Sequence, residues 1–158
     1  MKLLIFSDSH GEARRMVGIA KKFKDEVACV LFLGDNAGDC LAIPAVYAGP
    51  VYAIAGNCDL WTDCPHEMSI KLGGKTIWMT HGHKYGVKHG YDKIVAAATE
   101  READICLFGH THNPTIFQKN GTLFLNPGSI SEPRGNRGKS YAVIEIIGND
   151  ALAKIMDA

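Results

Sequence analysis

At 158 residues, 46% hydrophobic and 22% charged, the chain has material for one domain with one sizeable core, and two independently folded domains would be cramped. Lys plus Arg and Asp plus Glu both number 17, so no global field recruits nucleic acid or an anionic membrane, and attraction for phosphate has to be local. Five cysteines, odd in number and without a CxxC pair, argue against a disulfide framework and against a thiolate zinc site.

The first apolar run, over 2–7, predicts a strand. It passes directly into polar Ser7-Asp8-Ser9-His10 and is too short for a secretion signal or a membrane span, which places the protein in the cytoplasm. Residues 13–24 carry apolar side chains at helical spacing with Lys and Arg opposite, so a helix is expected there. Strands follow over 27–33 and 51–55, then a hairpin of 68–72 and 75–80 around Leu72-Gly73-Gly74-Lys75. The Ala-rich stretch 91–102 ends on charges and predicts the second helix. A strand at 105–108 precedes a hairpin of 115–118 and 122–125 around Asn120-Gly121, and 141–147 is the last strand expected. The apolar runs at 2–7, 27–33, 51–55, 75–80 and 105–108 lack alternation, as strands covered on both faces do, and Cys29 and Cys106 lie in such runs as expected core residues. A βαβ beginning followed by hairpins predicts an α/β domain spanning 1–158, with two packed sheets and helices outside.

Five short polar runs sit just past predicted strand ends: Asp8-Ser9-His10, Gly34-Asp35-Asn36, Gly56-Asn57-Cys58-Asp59, Thr80-His81-Gly82-His83 and Gly109-His110-Thr111-His112. In open α/β sheets ligands bind at that edge. Each run has a plainer explanation: Asp8 as a helix cap, Asp35-Asn36 as an Asx-turn, Asn57 in a left-handed turn. The histidines are harder to explain that way, since five of seven fall in these runs. His110 and His112, at i and i+2, can aim both rings the same way in an extended segment. Imidazoles and carboxylates gathered on one edge without a cation would leave a costly set of poorly paired polar groups, so a divalent metal site is the expectation.

This order of motifs resembles the calcineurin-like metallophosphoesterase family, whose signature runs D-x-H, G-D, G-N-H-[DE], H and G-H-x-H. The resemblance spans residues 8–112, Asn126-Pro127-Gly128-Ser129 extends it, and the G-N-C-D variant is similar to the small bacterial and archaeal phosphodiesterases. It implies an α/β/β/α sandwich of two mixed sheets flanked by helices. It also implies that Asp8, His10 and His112 hold one metal, that Asn57, His81 and His110 hold the other, and that Asp35 bridges them. A carboxylate has two oxygens and can span ions about 3.5–4 Å apart, which one imidazole nitrogen cannot. The implied chemistry is phosphodiester hydrolysis by a hydroxide between two ions, manganese first, with nickel, iron, cobalt and zinc also suited to these ligands. The expected partner is a small phosphoester, with phosphomonoesters as the nearest rival substrates and homo-oligomerisation left open.

Cys58 departs from the pattern, standing where much of the family has a histidine that protonates the leaving group. It is either a small packing residue beside Asn57 or a weaker proton donor, in which case His83 or His89 could supply the proton. Asp59 either orients the Asn57 loop or occupies a surface turn. His83 either contacts phosphate or is a solvated loop residue. Ser129 and Arg134 are candidates to reach the substrate, against the simpler reading of 135–139 as a flexible basic loop. Trp61, Trp78, Tyr85 and Phe117 are not spaced as a base-stacking platform. A non-catalytic protein-interaction scaffold, as in eukaryotic protein-sorting coats of this fold, is the alternative of a different class.

Overall fold

A computed structural model describes all 158 residues. In chain order the strands are β1 (Lys2–Phe6), β2 (Cys29–Phe32), β3 (Val51–Ala53), β4 (Glu67–Leu72), β5 (Lys75–Thr80), β6 (Ile105–Leu107), β7 (Thr115–Lys119), β8 (Thr122–Asn126), β9 (Ser140–Ile147) and β10 (Asp150–Asp157). They form two five-stranded mixed sheets, ordered β10-β9-β1-β2-β3 and β4-β5-β6-β8-β7. β1, β2 and β3 run parallel, as do β5, β6 and β8, so three strand ends from each sheet point the same way.

The unbroken apolar runs find their reason in the layers. Leu3 and Ile5 of β1 and Leu31 of β2 face Ile77, Met79, Ile105 and Leu125 between the sheets. Their neighbours Leu4, Phe6, Val30 and Phe32 face outward, onto Met16, Ile19 and Ala20 of α1 (Ala13–Lys22). In the second sheet Trp78, Cys106 and Phe124 turn outward to Ile94, Val95 and Ala98 of α2 (Asp92–Glu100). With helices on both outer faces, successive residues of a strand all meet apolar partners, and no polar alternation survives. The expected α/β/β/α sandwich is therefore the observed one. No helix is long and apolar enough to cross a membrane.

Three local differences stand out. The first helix ends at Lys22 rather than at 24, because Phe23 packs against the outer core and Tyr141 while its N–H bonds Ile19 O, turning the chain back toward β2. Residues Ala37–Ala45 form an unexpected 3₁₀ segment containing Pro44. β10 was not expected at all. It pairs along its whole length with β9 through a turn at Gly148-Asn149, with Gly148 at φ +57°. Ala151 and Ala153 are weak strand formers, yet they pack with Ile155 against the inter-sheet core.

Candidate metal centre

Each sheet contributes half of one cluster. Asp8 and His10 follow β1 and Asp35 follows β2, while His81 follows β5, and His110 and His112 follow β6. Asp8, His10, Asp35 and His112 bring one ligand-capable atom each within 4.8 Å of one another, and so do Asp35, His81 and His110. Asp35 belongs to both groups.

Hydrogen bonds behind the cluster fix which atoms face inward. His81 Nδ1 lies 2.7 Å from the Leu33 carbonyl and His112 Nδ1 2.6 Å from that of Glu132. A carbonyl can only accept, so in both rings Nδ1 carries the proton and donates it, leaving the Nε2 lone pair of the neutral ring free for a cation. Asp8 Oδ2 accepts from Ser7 Oγ at 2.5 Å and from the His110 N–H at 3.1 Å. Its other oxygen, Oδ1, is buried with no hydrogen-bond partner, and so is His81 Nε2. His112 Nε2 stands 3.1 Å from Asp8 Oδ1 and 3.3 Å from His10 Nε2. His81 Nε2 is 3.4 Å from Asp35 Oδ2 but not in line for a hydrogen bond. Lone pairs turned on one another at these separations, in a buried place, are what a divalent cation relieves. The donor set, imidazole and carboxylate without thiolate, suits first-row divalent metals.

The backbone is bent to deliver these groups. Asp8, His10, Asp35, Asn36, His110 and His112 all lie at positive φ, between 42° and 70°. For residues with a Cβ such conformations cost of order 1–3 kcal/mol each and persist only when the surroundings enforce them. Gly56 is needed for a different reason, since a Cβ there would fall 2.1 Å from Asp35 Oδ1.

Charge interactions follow the geometry. Burial alone would raise the Asp35 pKa, but the close approach of the His81 ring and the Cys58 N–H bound to Oδ1 outweigh it and hold the carboxyl well below the usual range. Burial opposes protonation of His81 as well, and there Asp35 and Asp8 win and raise it. His112 is raised chiefly by its contact with Asp8. Burial and the neighbouring His81 push His110 down to about 4, which keeps its ring a neutral donor.

Around the cluster the remaining candidates part company. Asn57 is exposed, its Nδ2 donating to Cys58 Sγ at 3.3 Å. Cys58 is exposed too, its N–H donating to Asp35 Oδ1 at 2.9 Å, while partial desolvation of its thiol and the nearby Asp35 push its pKa to about 11. His83 sits with its ring 5.5 Å from His81 and 6.0 Å from His110, and its Nδ1 is buried without a partner. Asp59 touches no ligand side chain. Its carboxylate accepts the N–H groups of Asp35, Ala37 and Gly56 at 2.8–2.9 Å, tying the Asp35 loop to the Asn57 loop. His89 is exposed in a separate groove with Tyr85 and Lys93. Arg134 is exposed, and its N–H anchors the loop to the His112 carbonyl at 2.9 Å.

Ser129 is fully buried, with its hydroxyl donating to the Asp8 carbonyl at 2.7 Å and accepting the N–H groups of Ser131 and Glu132, so it braces Asp8 from behind. Two contributors went unforeseen: Ser7, which fixes the Asp8 carboxylate, and Asp39, which accepts from Ser9 Oγ and the Gly11 N–H and shapes the His10 loop. Asp39 lies four residues past Asp35, inside the 3₁₀ segment that no periodicity announced.

A two-sheet α/β sandwich with carboxylates and histidines gathered at its strand ends defines a phosphoesterase fold with a candidate metal centre. The chain belongs to the calcineurin-like phosphoesterase superfamily, whose domain profile matches residues 1–149. It is 35% identical over 157 residues to the probable metallophosphoesterase YsnB of Bacillus subtilis, covering 99% of this chain and 91% of that one. Over 179 residues it is 29% identical to the phosphodiesterase YfcE of Escherichia coli, covering 98% and 91%. A crystal structure of a predicted phosphoesterase from Streptococcus pneumoniae superposes with a TM-score of 0.85 at 30% identity, covering 99% of this chain and 88% of that one.

Proposed function

We propose that the chain is a binuclear metal-dependent phosphodiesterase, a single domain acting in the cytoplasm on small phosphodiesters. The observation that carries this is the membership of Asp35 in both ligand groups. In this reading Asp8, His10 and His112 hold one ion, Asn57, His81 and His110 the other, and Asp35 is shared. When bound, two divalent ions supply a nucleophile from water at neutral pH and neutralise charge on the phosphoryl oxygens. Two carboxylates against two dications leave a local charge of about +2, which draws an anionic phosphoryl group although the whole chain is neutral. Manganese is the first metal proposed, with nickel, iron, cobalt and zinc also suited.

The chain's own groups then position the substrate. In this reading His83, whose ring lies near those of His81 and His110 and whose pKa is lowered by burial and by His81, gives a hydrogen bond from its neutral ring to a phosphoryl or leaving-group oxygen. Arg134 offers paired donors from its exposed loop. The phosphodiesterase named YfcE supports a diester over a monoester.

The test is hydrolysis of matched aryl phosphomonoesters and phosphodiesters by metal-stripped protein refilled with manganese, nickel, zinc or magnesium. Diester turnover restored by manganese is expected. No turnover with any metal would instead favour the protein-interaction scaffold. A second prediction concerns Cys58, whose thiol is held at about 11 and is a poor acid at neutral pH. Cys58→His should flatten the dependence of rate on leaving-group pKa, gaining about tenfold on poor leaving groups for each ~1.4 kcal/mol the imidazole supplies. An unchanged dependence would place the thiol outside the proton pathway.

A further inference from the structure

The loop that carries Asn57 runs on into an exposed apolar crest. Leu60 and Trp61 keep 78% and 97% of their surface in solvent, and Leu41, on the 3₁₀ segment, keeps 85%. Leu41 and Trp61 flank a groove of about 650 Å³ whose walls include Val51, Ala53, Met68 and Asp59. Scattered single apolar residues on a surface need no explanation, but two large ones bordering one groove, with Leu60 next to them in the chain, do. The volume lies within the ~300–1,000 Å³ of small-ligand sites.

Asp59 ties the wall of this groove to the loop that carries Asp35. It stands in the groove wall, and its carboxylate binds the N–H of Asp35 at 2.9 Å and that of Gly56 at 2.8 Å. Trp61 is two residues further on, so its Cα is at most about 7.6 Å from that of Asp59. The Trp61 backbone thus belongs to the loop that Asp59 ties to Asp35, while its indole stands free in solvent. Groups at the centre are polar or cationic and suit phosphate, whereas a diester carries a second organic substituent that they cannot accommodate favourably. A second copy of the chain is the rival occupant, but this crest falls well short of the roughly 20–30 residues a side of a stable interface.

We propose that Trp61, with Leu41 and the groove behind it, receives a planar apolar substituent of the phosphodiester, aryl or nucleobase, and sets substrate preference. This rests on the phosphodiesterase reading and adds to it a substrate class. An indole face stacks on any flat ring, and such stacking is sensitive to removal of the aromatic partner.

Two substrates with one leaving group isolate the effect: bis(4-nitrophenyl) phosphate and methyl 4-nitrophenyl phosphate, with manganese-loaded protein. Trp61→Ala should raise KM about tenfold for the first only, with kcat unchanged, and Trp61→Phe should restore most of the loss. A readout independent of turnover comes from the tryptophans, since Trp78 is 1% exposed and acrylamide quenching therefore reports Trp61. Diphenylphosphinate should shield Trp61 at least threefold, and dimethylphosphinate should not. If wild type hydrolyses both esters and Trp61→Ala changes neither KM, the subsite is overturned while the phosphodiesterase reading stands. If wild type hydrolyses neither, that reading falls and the subsite with it. Shielding that grows with protein concentration alone would make the crest a contact between copies and overturn the subsite.

Discussion

Asp35→Asn protein is expected to fold, to hold less than one equivalent of manganese and to lose diester hydrolysis by at least about a thousandfold. The substitution is nearly isosteric, and the amide oxygen can still accept the Cys58 N–H that Oδ1 accepts now. The loss is on the other side of the group. Oδ2 lies 3.4 Å from His81 Nε2 and 3.9 Å from His10 Nε2, one nitrogen from each ligand group, so a neutral amide removes negative charge from both at once. An NH₂ in that position would also direct donors to where cations bind. Several kcal/mol of transition-state charge stabilisation depend on such ions, which corresponds to three or more powers of ten in rate. His81→Ala is the informative comparison, because it strips only one group and should leave about one equivalent bound. Metal content and single-turnover rates on the two proteins, with circular dichroism as the folding control, decide the matter. Asp35→Asn with two equivalents bound and full turnover would remove the shared-ligand assignment.

What could be read in advance was what side-chain chemistry announces. Asp8, Asp35, His81, His110 and His112 each follow an apolar run closed by a polar or glycine residue, so strand ends and candidate ligands were legible together. The braces behind them were not. His81 and His112 are held by the carbonyls of Leu33 and Glu132, and every residue has a carbonyl. Ser129 follows a recognisable turn, yet only tertiary packing decides that its hydroxyl points inward to Asp8. The left-handed backbone at Asp8, His10, Asp35, His110 and His112 runs against local preference and is imposed from outside those residues, so no propensity foretells it. β10 escaped for the opposite reason: Ala151, Ala153 and Lys154 prefer no strand by themselves, and pairing with the long β9 supplies the order.

Because the centre is assembled from two sheets, its weakest point should be where they touch, and Gly109 tests that. A Cβ there would fall 2.0 Å from Ser7 Oγ and 2.9 Å from Asp8 Oδ2. Its φ lies outside the left-handed region, so alanine meets no backbone strain and the effect is purely one of space. Ser7 cannot give way freely, since its hydroxyl holds Asp8 Oδ2 at 2.5 Å, and the same oxygen takes the His110 N–H from the opposite sheet. Gly109 is itself bound, its N–H donating to the His81 carbonyl and its own carbonyl accepting from Asn126 Nδ2. Gly109→Ala must therefore either push β1 away from β6 or rotate the Asp8 carboxylate out of its group. Overpacking of this kind costs about 1–3 kcal/mol, and the displaced Asp8 should weaken manganese binding about 10–100-fold, the range for lost ligand support. Denaturant unfolding with and without metal separates the two costs. Ser7→Ala in the same chain removes the closest clashing atom and should recover part of the stability, though not the metal affinity, because the bond that orients Asp8 goes with it. Wild-type stability and affinity in Gly109→Ala would mean that the two halves of the centre are not locked together at this contact.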